Sequence, residues 1–237
     1  MAGAVKRRCL EQELEAWYEE AVNDSSKKAM RAGSSREDAL APVQQSPKVG
    51  EERKEAVKSN DKIINGIFLE PNNFLKYWVD KETGHNCFMM FPRGLSIAWS
   101  NNESYWHWLP LRKKSEKDDV AILLGVCWLD IHGKLEISYL TPGIMYEVVF
   151  IVMMNEAAAG WGIPVDLRLR LPDGSVRGHM ESLEEKPRGT WIELKVGELR
   201  TQAGQEGKMD VSLWGNEGEH WKIGLTVRGI VIRPKKL

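Results

Sequence analysis

Short segments of alternating apolar and polar residues recur along the chain from residue 63 onward. In "DLRLRL" (166–171), three leucines alternate with charged residues, and "WIELKVGEL" (191–199) repeats the pattern. Such alternation is typical of a β-strand with one buried face. The same criteria predict further strands at 66–70, 74–79, 87–91, 95–99, 121–129, 134–139, 145–153, 208–214 and 223–233.

Turn-forming residues separate the predicted strands. Examples are "PNN" (71–73), "HGK" (132–134), "TPG" (141–143) and "PDGS" (172–175). In the last predicted strand the apolar phase slips at Arg228-Gly229, which predicts a β-bulge. Many short strands joined by turns, with no long helical pattern after residue 60, indicate an all-β sandwich or barrel.

The first 60 residues differ from the rest. Residues 10–22, "LEQELEAWYEEAV", place their apolar side chains on one side at helical spacing, which predicts a short amphipathic helix. The segment 23–60 has almost no large apolar residues, so a flexible linker is expected there. We therefore expect an N-terminal region, 1–60, and a β domain, 61–237. A helix this short either docks on a surface or is a frayed terminus.

Composition and charge narrow the possible functions. The net charge is −1, so no strong overall field attracts nucleic acid or an anionic membrane, and neither is expected as a partner. The longest apolar run, "VVFIVMM" (148–154), is far shorter than the roughly 20 residues that span a bilayer, so no membrane insertion is expected. Three cysteines without metal-ligand spacing are typical of reduced thiols, which favours a cytoplasmic protein without a metal site.

Motifs for catalysis are weak in this sequence. Phosphate-binding glycine loops and Gly-x-Ser-x-Gly motifs do not occur. Asp130 and His132 lie two apart and would share a strand face, but no nucleophile accompanies them, and a structural pair is the alternative. Carboxylates such as Glu217 and Glu219 leave glycoside hydrolysis as a further alternative. We predict no enzymatic activity, no catalytic residue and no cofactor.

Tryptophan is the compositional outlier, with 10 in 237 residues. The segment "RGLSIAWSNNESYWHWLPL" (93–111) concentrates four large rings. Strand alternation puts Trp99 on the apolar face of the residues before it, so Trp99 is predicted to fill the core. "YWHW" follows the polar loop "SNNES", so Tyr105 or Trp106 is predicted to be the exposed ring. Sugars stack their apolar faces on such rings while amides like that of Asn101 bond to hydroxyls, which favours carbohydrate binding.

Several blocks of the sequence resemble the phloem protein 2 family of Nictaba-like plant lectins. The segment above is followed in order by "VCWLDIHGKLEISYLTPGIMYEVVFIV", "WIELKVGEL" and "HWKIGLTVRGIVIRPKK", and the resemblance runs from about Ile64 to Pro234. It implies a jelly-roll-like β-sandwich without enzymatic activity. It also implies binding of N-acetylglucosamine (GlcNAc) oligomers or of the N-glycan core of glycosylated proteins. The implied location is the cytoplasm, nucleus or phloem sap, often as a homodimer.

The resemblance also assigns sugar-binding positions. The family's "SI-x-W" and "YW-x-W" motifs supply tryptophans to the site, but its two acidic positions read Lys208 and Gly215 here. Residues of the adjacent loop would have to replace the missing carboxylates, or the protein is a structural or interaction protein of the phloem with weak or altered sugar binding. The expected carbohydrate-binding residues are Trp99, Asn101, Tyr105, Trp106, Trp108, Asn216, Glu217 and Glu219.

Overall fold

The computed structural model describes residues 67–69, 74–112, 115–215 and 220–236. All of them belong to one compact unit, Asn60–Leu237. Within these ranges the chain forms thirteen strands in two sheets whose strands pair antiparallel. The predicted N-terminal helix and linker lie outside the described residues.

The first sheet contains eight strands. They are β1 (Ile67–Leu69), β2 (Leu75–Val79), β3 (Asn86–Met90), β5 (Trp106–Arg112), β6 (Ser115–Leu123), β8 (Met145–Ala159), β11 (Trp191–Arg200) and β13 (Ile223–Pro234). The long strand β13 pairs with β8, and also with β6 and β3 through different segments of its length. The sheet continues from β8 to β11, from β6 to β5, and from β3 through β2 to β1.

The second sheet contains five strands in the order β10-β9-β12-β7-β4. They are β4 (Ser96–Ile97), β7 (Leu129–Glu136), β9 (Val165–Arg170), β10 (Val176–Glu181) and β12 (Lys208–Gly215). Two short 3-10 helices, Pro92–Gly94 and Ile137–Tyr139, also occur among the described residues. In the same ranges, no helix has the length and apolar character that crossing a membrane requires.

The hydrophobic core draws on both sheets and follows the alternation of the sequence. In β9, Val165, Leu167 and Leu169 are buried while the charged residues between them are not. Side chains from β8, β12 and β13 belong to the same buried cluster. Each such side chain contributes about 1.5–3 kcal/mol when it leaves water. The prediction of an all-β sandwich is confirmed.

The predicted bulge in the last strand is also confirmed. The register of β13 against β8 shifts between Val227 and Gly229, where Gly229 has a φ of 141°. A Cβ at this position would lie 2.2 Å from the carbonyl oxygen of Met90, so only glycine fits. The extra residue keeps Ile230 buried in the same core as Val227.

Several predicted strand boundaries are wrong. The segment predicted as 95–99 is a strand only at Ser96–Ile97, the segment predicted as 121–129 ends at Leu123, and the one predicted as 134–139 is the end of β7. The "HGK" segment is not a turn but the middle of β7. Gly133 there faces the core, where a Cβ would lie 2.6 Å from Ile230 Cδ1. The predicted strand list also omits β5 and β10.

Candidate functional site

Trp99 lies in the connection between β4 and β5. Its ring is 59% exposed and its backbone has a φ of 63°, the left-handed conformation that non-glycine residues seldom adopt. The turn closes when the Asn102 amide donates to the Trp99 carbonyl, at 2.9 Å. Because β4 ends at Ile97, strand alternation no longer applies two residues later. The prediction that Trp99 fills the core is therefore wrong.

Two indole groups form hydrogen bonds to the backbone of this connection. The Nε1–H of Trp106 donates to the carbonyl of Ala98 at 2.9 Å, and that of Trp108 donates to the carbonyl of Ser100 at 3.1 Å. The two bonds fix the backbone on either side of Trp99. Trp106 is only 1% exposed, so it offers no face to a ligand and its predicted role as the exposed ring is wrong. Arg93 covers Trp108, with its guanidinium carbon 4.0 Å from the ring centroid.

A shallow depression of about 540 Å³ lies beside Trp99. Asn101 and Glu103 are exposed there, so their amide and carboxylate can meet a ligand. The Asn102 side chain stabilises the loop itself, because its Oδ1 accepts a hydrogen bond from the backbone N–H of Ser104 at 2.9 Å. The lining residues are Ile97, Trp99, Ser100, Asn101, Asn102 and Glu103.

Three aromatic side chains follow one another on this surface. The ring centroids of Trp99 and Tyr105 are 6.2 Å apart, and those of Tyr105 and Trp221 are 6.3 Å apart. Trp221 is 58% exposed, whereas Tyr105 is half-buried between its two neighbours. We call Trp99, Tyr105 and Trp221 the aromatic row. Trp221 lies in "HWKIG" and is not among the carbohydrate-binding residues expected from the sequence.

The backbone around Trp221 depends on a glycine. Gly160 has a φ of 83°, and a Cβ on it would lie 1.9 Å from the carbonyl oxygen of Trp221. Trp161, fully buried, donates its Nε1–H to the carbonyl of Ile223 at 2.9 Å. A bridge between Val126 and Lys222 fixes the other side of the same segment. The end of β8 and its following turn therefore set the position of Trp221.

Gly160→Ala is expected to destabilise the protein by at least about 2 kcal/mol, because alanine disfavours a positive φ and its Cβ would also clash with the Trp221 carbonyl. The displaced backbone should also shift the fluorescence of Trp221. Urea unfolding followed by circular dichroism measures the first effect. The matched control is Gly162→Ala, since Gly162 has no positive φ and open space around its Cβ. Equal stability of the two variants would contradict the prediction.

The remaining predicted positions are spread along β12 and beyond it. Lys208 begins this strand and its Nζ lies 3.6 Å from Glu136, whereas Gly215 ends it opposite Leu129. Seven residue steps along the strand separate the two positions by roughly 23 Å, so they cannot hold one short ligand together. Only the Gly215 end lies at the same end of the sheet as the Trp99 connection. Three other predicted residues lie outside the described residues: Asn216, Glu217 and Glu219.

Asp130 and His132 contact each other on the solvent-facing side of the second sheet. The Nε2 of His132 lies 2.7 Å from Asp130, and its Nδ1 lies 2.9 Å from Asp210. Each ring nitrogen thus faces a carboxylate rather than a hydroxyl or thiol nucleophile. This arrangement favours the structural interpretation of the pair. Across the described ranges, no group of three or more His, Cys, Asp or Glu side chains has the geometry to hold a metal ion.

A family model described as phloem protein 2 matches residues 85–234, well over half of the chain. The chain belongs to the phloem protein 2 family. A lectin from Luffa acutangula is 42% identical over 181 residues, covering 76% of this chain and 85% of that protein. The Arabidopsis thaliana protein phloem protein 2-like A1 is 41% identical over 184 residues, covering 76% and 74%.

The phloem protein 2 match includes the whole candidate site. It extends from β3 to the end of β13 and so contains the Trp99 connection and all of the aromatic row. Among solved structures, the carbohydrate-binding module TmCBM61 in complex with β-1,4-galactotriose aligns with a TM-score of 0.30 and 15% identity, covering 73% of this chain and 94% of that one.

Proposed function

We propose that this phloem protein 2 family member is a lectin that binds GlcNAc oligomers through the aromatic row and the adjacent depression. The observation that carries the proposal is that the rings of Trp99, Tyr105 and Trp221 lie next to one another on the surface. Large exposed rings are costly to leave in water and mark binding surfaces when they cluster. The relative from Luffa acutangula bears the name lectin, which supports the same assignment.

The chemistry of the depression suits a sugar. A pyranose presents an apolar face of C–H groups, which packs against the electron-rich face of an indole. Its hydroxyl and acetamido groups need hydrogen-bond partners at the edges of the ring. Asn101 supplies an amide with both donors and an acceptor, and Glu103 supplies a carboxylate acceptor. We propose that Asn216, Glu217 and Glu219 add further polar contacts from the neighbouring loop.

The proposed partners are GlcNAc oligosaccharides and N-glycosylated proteins, bound by a homodimer in the cytoplasm, nucleus or phloem sap. We propose no catalytic activity. The residues proposed to contact the sugar offer stacking and hydrogen bonding. His132, with both nitrogens beside carboxylates, is not arranged to activate a nucleophile.

A second candidate function is a structural or interaction protein of the phloem with weak sugar binding. Lys208 and Gly215 favour it, because neither supplies a carboxylate at the family's acidic positions. Removing a charge-assisted hydrogen bond lowers affinity, since such bonds are the stronger ones. The affinity for chitin oligomers distinguishes the two candidates.

Titration with chitotriose should quench or shift tryptophan fluorescence, with a Kd of about 0.1–1 mM, equivalent to about 4–5.5 kcal/mol of binding free energy. The matched control is cellotriose, which has the same linkage without acetamido groups and should bind more weakly. The lectin proposal fails if chitotriose causes no saturable change up to about 10 mM. Equal affinity for both sugars would reject GlcNAc specificity while retaining carbohydrate binding.

A further inference from the structure

A second cavity opens on the solvent-facing side of the five-stranded sheet. It lies over β10, β9 and β12, away from β4 at the opposite edge of the sheet. Its volume is about 140 Å³. A cavity of about 150 Å³ holds a benzene molecule, so this one has room for a single six-membered ring. Residues from β9, β10 and β12 line it together with a lysine from beyond β12. The lining includes Asp166, Arg168, Met180, Trp214, Gly215 and Lys222.

Lys222 is an unusual residue in this lining. The residue is 1% exposed, and among the described residues its Nζ donates only to backbone carbonyls, those of Cys127 at 3.1 Å and His220 at 3.4 Å. Burial lowers the pKa of Lys222. An ammonium group has three N–H donors, so one donor is left for a ligand. A buried cation with only neutral partners is stabilised by an incoming anion.

Trp214 adds an aromatic wall and another donor. Its Nε1 is buried and has no acceptor among the described residues. The Arg168 guanidinium carbon lies 5.6 Å from the centroid of the Trp214 ring, and His132 meets the same ring edge-on at 5.5 Å. Strand register places Asp166 opposite Trp214 on one side and opposite Met180 on the other. Asp166 therefore lies between Trp214 and Met180 across the sheet. Its ion-pair partner, Arg168, lies near the Trp214 ring.

The charges around the cavity do not balance. Arg168 pairs with Asp166, which leaves the Lys222 ammonium without a carboxylate partner in the described part of the lining. The donors that remain belong to Lys222, to Trp214 and to the other N–H groups of Arg168. A ligand that complements this set has an acceptor-rich group with one negative charge and a flat or ring-shaped apolar part.

We infer that this cavity is a second carbohydrate site, specific for a six-membered sugar ring that bears a carboxylate, that is, a hexuronic acid. The carboxylate meets Lys222 and Arg168, and the ring packs beside Trp214 and Met180. Gly215 lets the Lys222 side chain pass close to the end of β12, because a Cβ at this position would lie 3.2 Å from Lys222 Cε. The lining of this cavity shares no residue with the aromatic row or with the depression beside Trp99.

Calorimetric titration of the full chain with D-galacturonate tests the inference. Galacturonate should bind at least about tenfold more tightly than D-galactose, which lacks the carboxylate, and than acetate, which lacks the ring. Raising the salt concentration should weaken the binding, because the carboxylate is recognised by charge. Equal binding of galactose and galacturonate, or of acetate and galacturonate, overturns the proposal, as does the absence of binding.

Variants locate the binding. Arg168→Gln should weaken galacturonate binding by about tenfold, and Arg168 is exposed enough for the variant to fold. The matched control is Arg170→Gln, on the same face of β9 but outside the cavity lining, which should leave the affinity unchanged. Trp214→Phe keeps an aromatic ring and removes the N–H donor, so it should weaken binding as well. Trp99→Ala should have no effect on galacturonate, and a loss there instead would place the acid sugar in the aromatic row and reject the second site.

Discussion

Trp106→Ala is expected to destabilise the protein by about 3–5 kcal/mol, the usual cost of removing a large buried aromatic side chain. Trp106 is almost fully buried, and its indole also fixes the Ala98 carbonyl. Trp99→Ala should change the free energy of unfolding by only about 0.5 kcal/mol, because the exposed Trp99 ring leaves no core cavity when removed. Urea unfolding followed by far-ultraviolet circular dichroism measures both variants.

Trp106→Phe provides a control for the two contributions. Phenylalanine refills most of the core volume but cannot donate to Ala98, so its cost should lie well below that of alanine. The structure is contradicted if Trp99→Ala proves the more destabilising of the two alanine variants. That outcome would restore the arrangement that strand alternation predicts from the sequence.

The opening aromatic segment shows why alternation alone misassigns the rings. A strand pattern extends only as far as the strand, and β4 stops two residues before Trp99. The contacts that reverse the backbone are indole-to-carbonyl hydrogen bonds between residues eight positions apart, such as Trp106 to Ala98. Hydrogen bonds of this kind leave no periodic pattern of hydrophobic residues in the sequence. The polar segment "SNNES" is the local feature of the sequence that indicates a turn there.

Glycine gave the opposite error in β7. The sequence "HGK" predicts a turn, because glycine interrupts strands. The structure continues the strand through Gly133, since the side chains of Leu95, Met90 and Ile230 occupy the space where its Cβ would be. A requirement for small volume inside a core depends on residues distant in sequence. The fold class was predictable from local alternation, whereas this boundary needed the tertiary packing.

Trp221 could not be found from pattern because its exposure results from tertiary contacts. Its backbone is fixed between Gly160 and the bridge from Val126 to Lys222, segments far apart in the chain. Its ring then reaches Tyr105 from a third segment. Of the predicted site, Trp99, Tyr105 and Asn101 lie together on this surface, while Trp106 belongs to the core beneath it. The sequence identifies the polar loop residues of the site, but it does not identify Trp221 as the third ring of the aromatic row.

Trp221→Ala is expected to weaken chitotriose binding at least about tenfold, a loss of about 1.4 kcal/mol. Exposed aromatic anchors commonly contribute this much or more when truncated, and Trp221 forms one end of the aromatic row. The double variant Trp99→Ala/Trp221→Ala removes both ends and should lose about 100-fold, close to 2.7 kcal/mol, if the two rings contact different parts of one oligomer. Calorimetric titration with chitotriose gives the affinity of Trp221→Ala, whereas the double variant should show no saturable binding up to about 10 mM. Far-ultraviolet circular dichroism checks that both variants fold.

Trp128→Ala is the matched control. Trp128 is 51% exposed, close to the value for Trp221, but makes no ring contact with the aromatic row in the described structure. A general effect of deleting surface tryptophan would weaken binding equally in both single variants. Retained affinity in Trp221→Ala together with loss in Trp128→Ala would move the sugar to a different surface. Loss in Trp221→Ala alone is expected, because stacking depends on neighbouring rings that one oligomer can cover together.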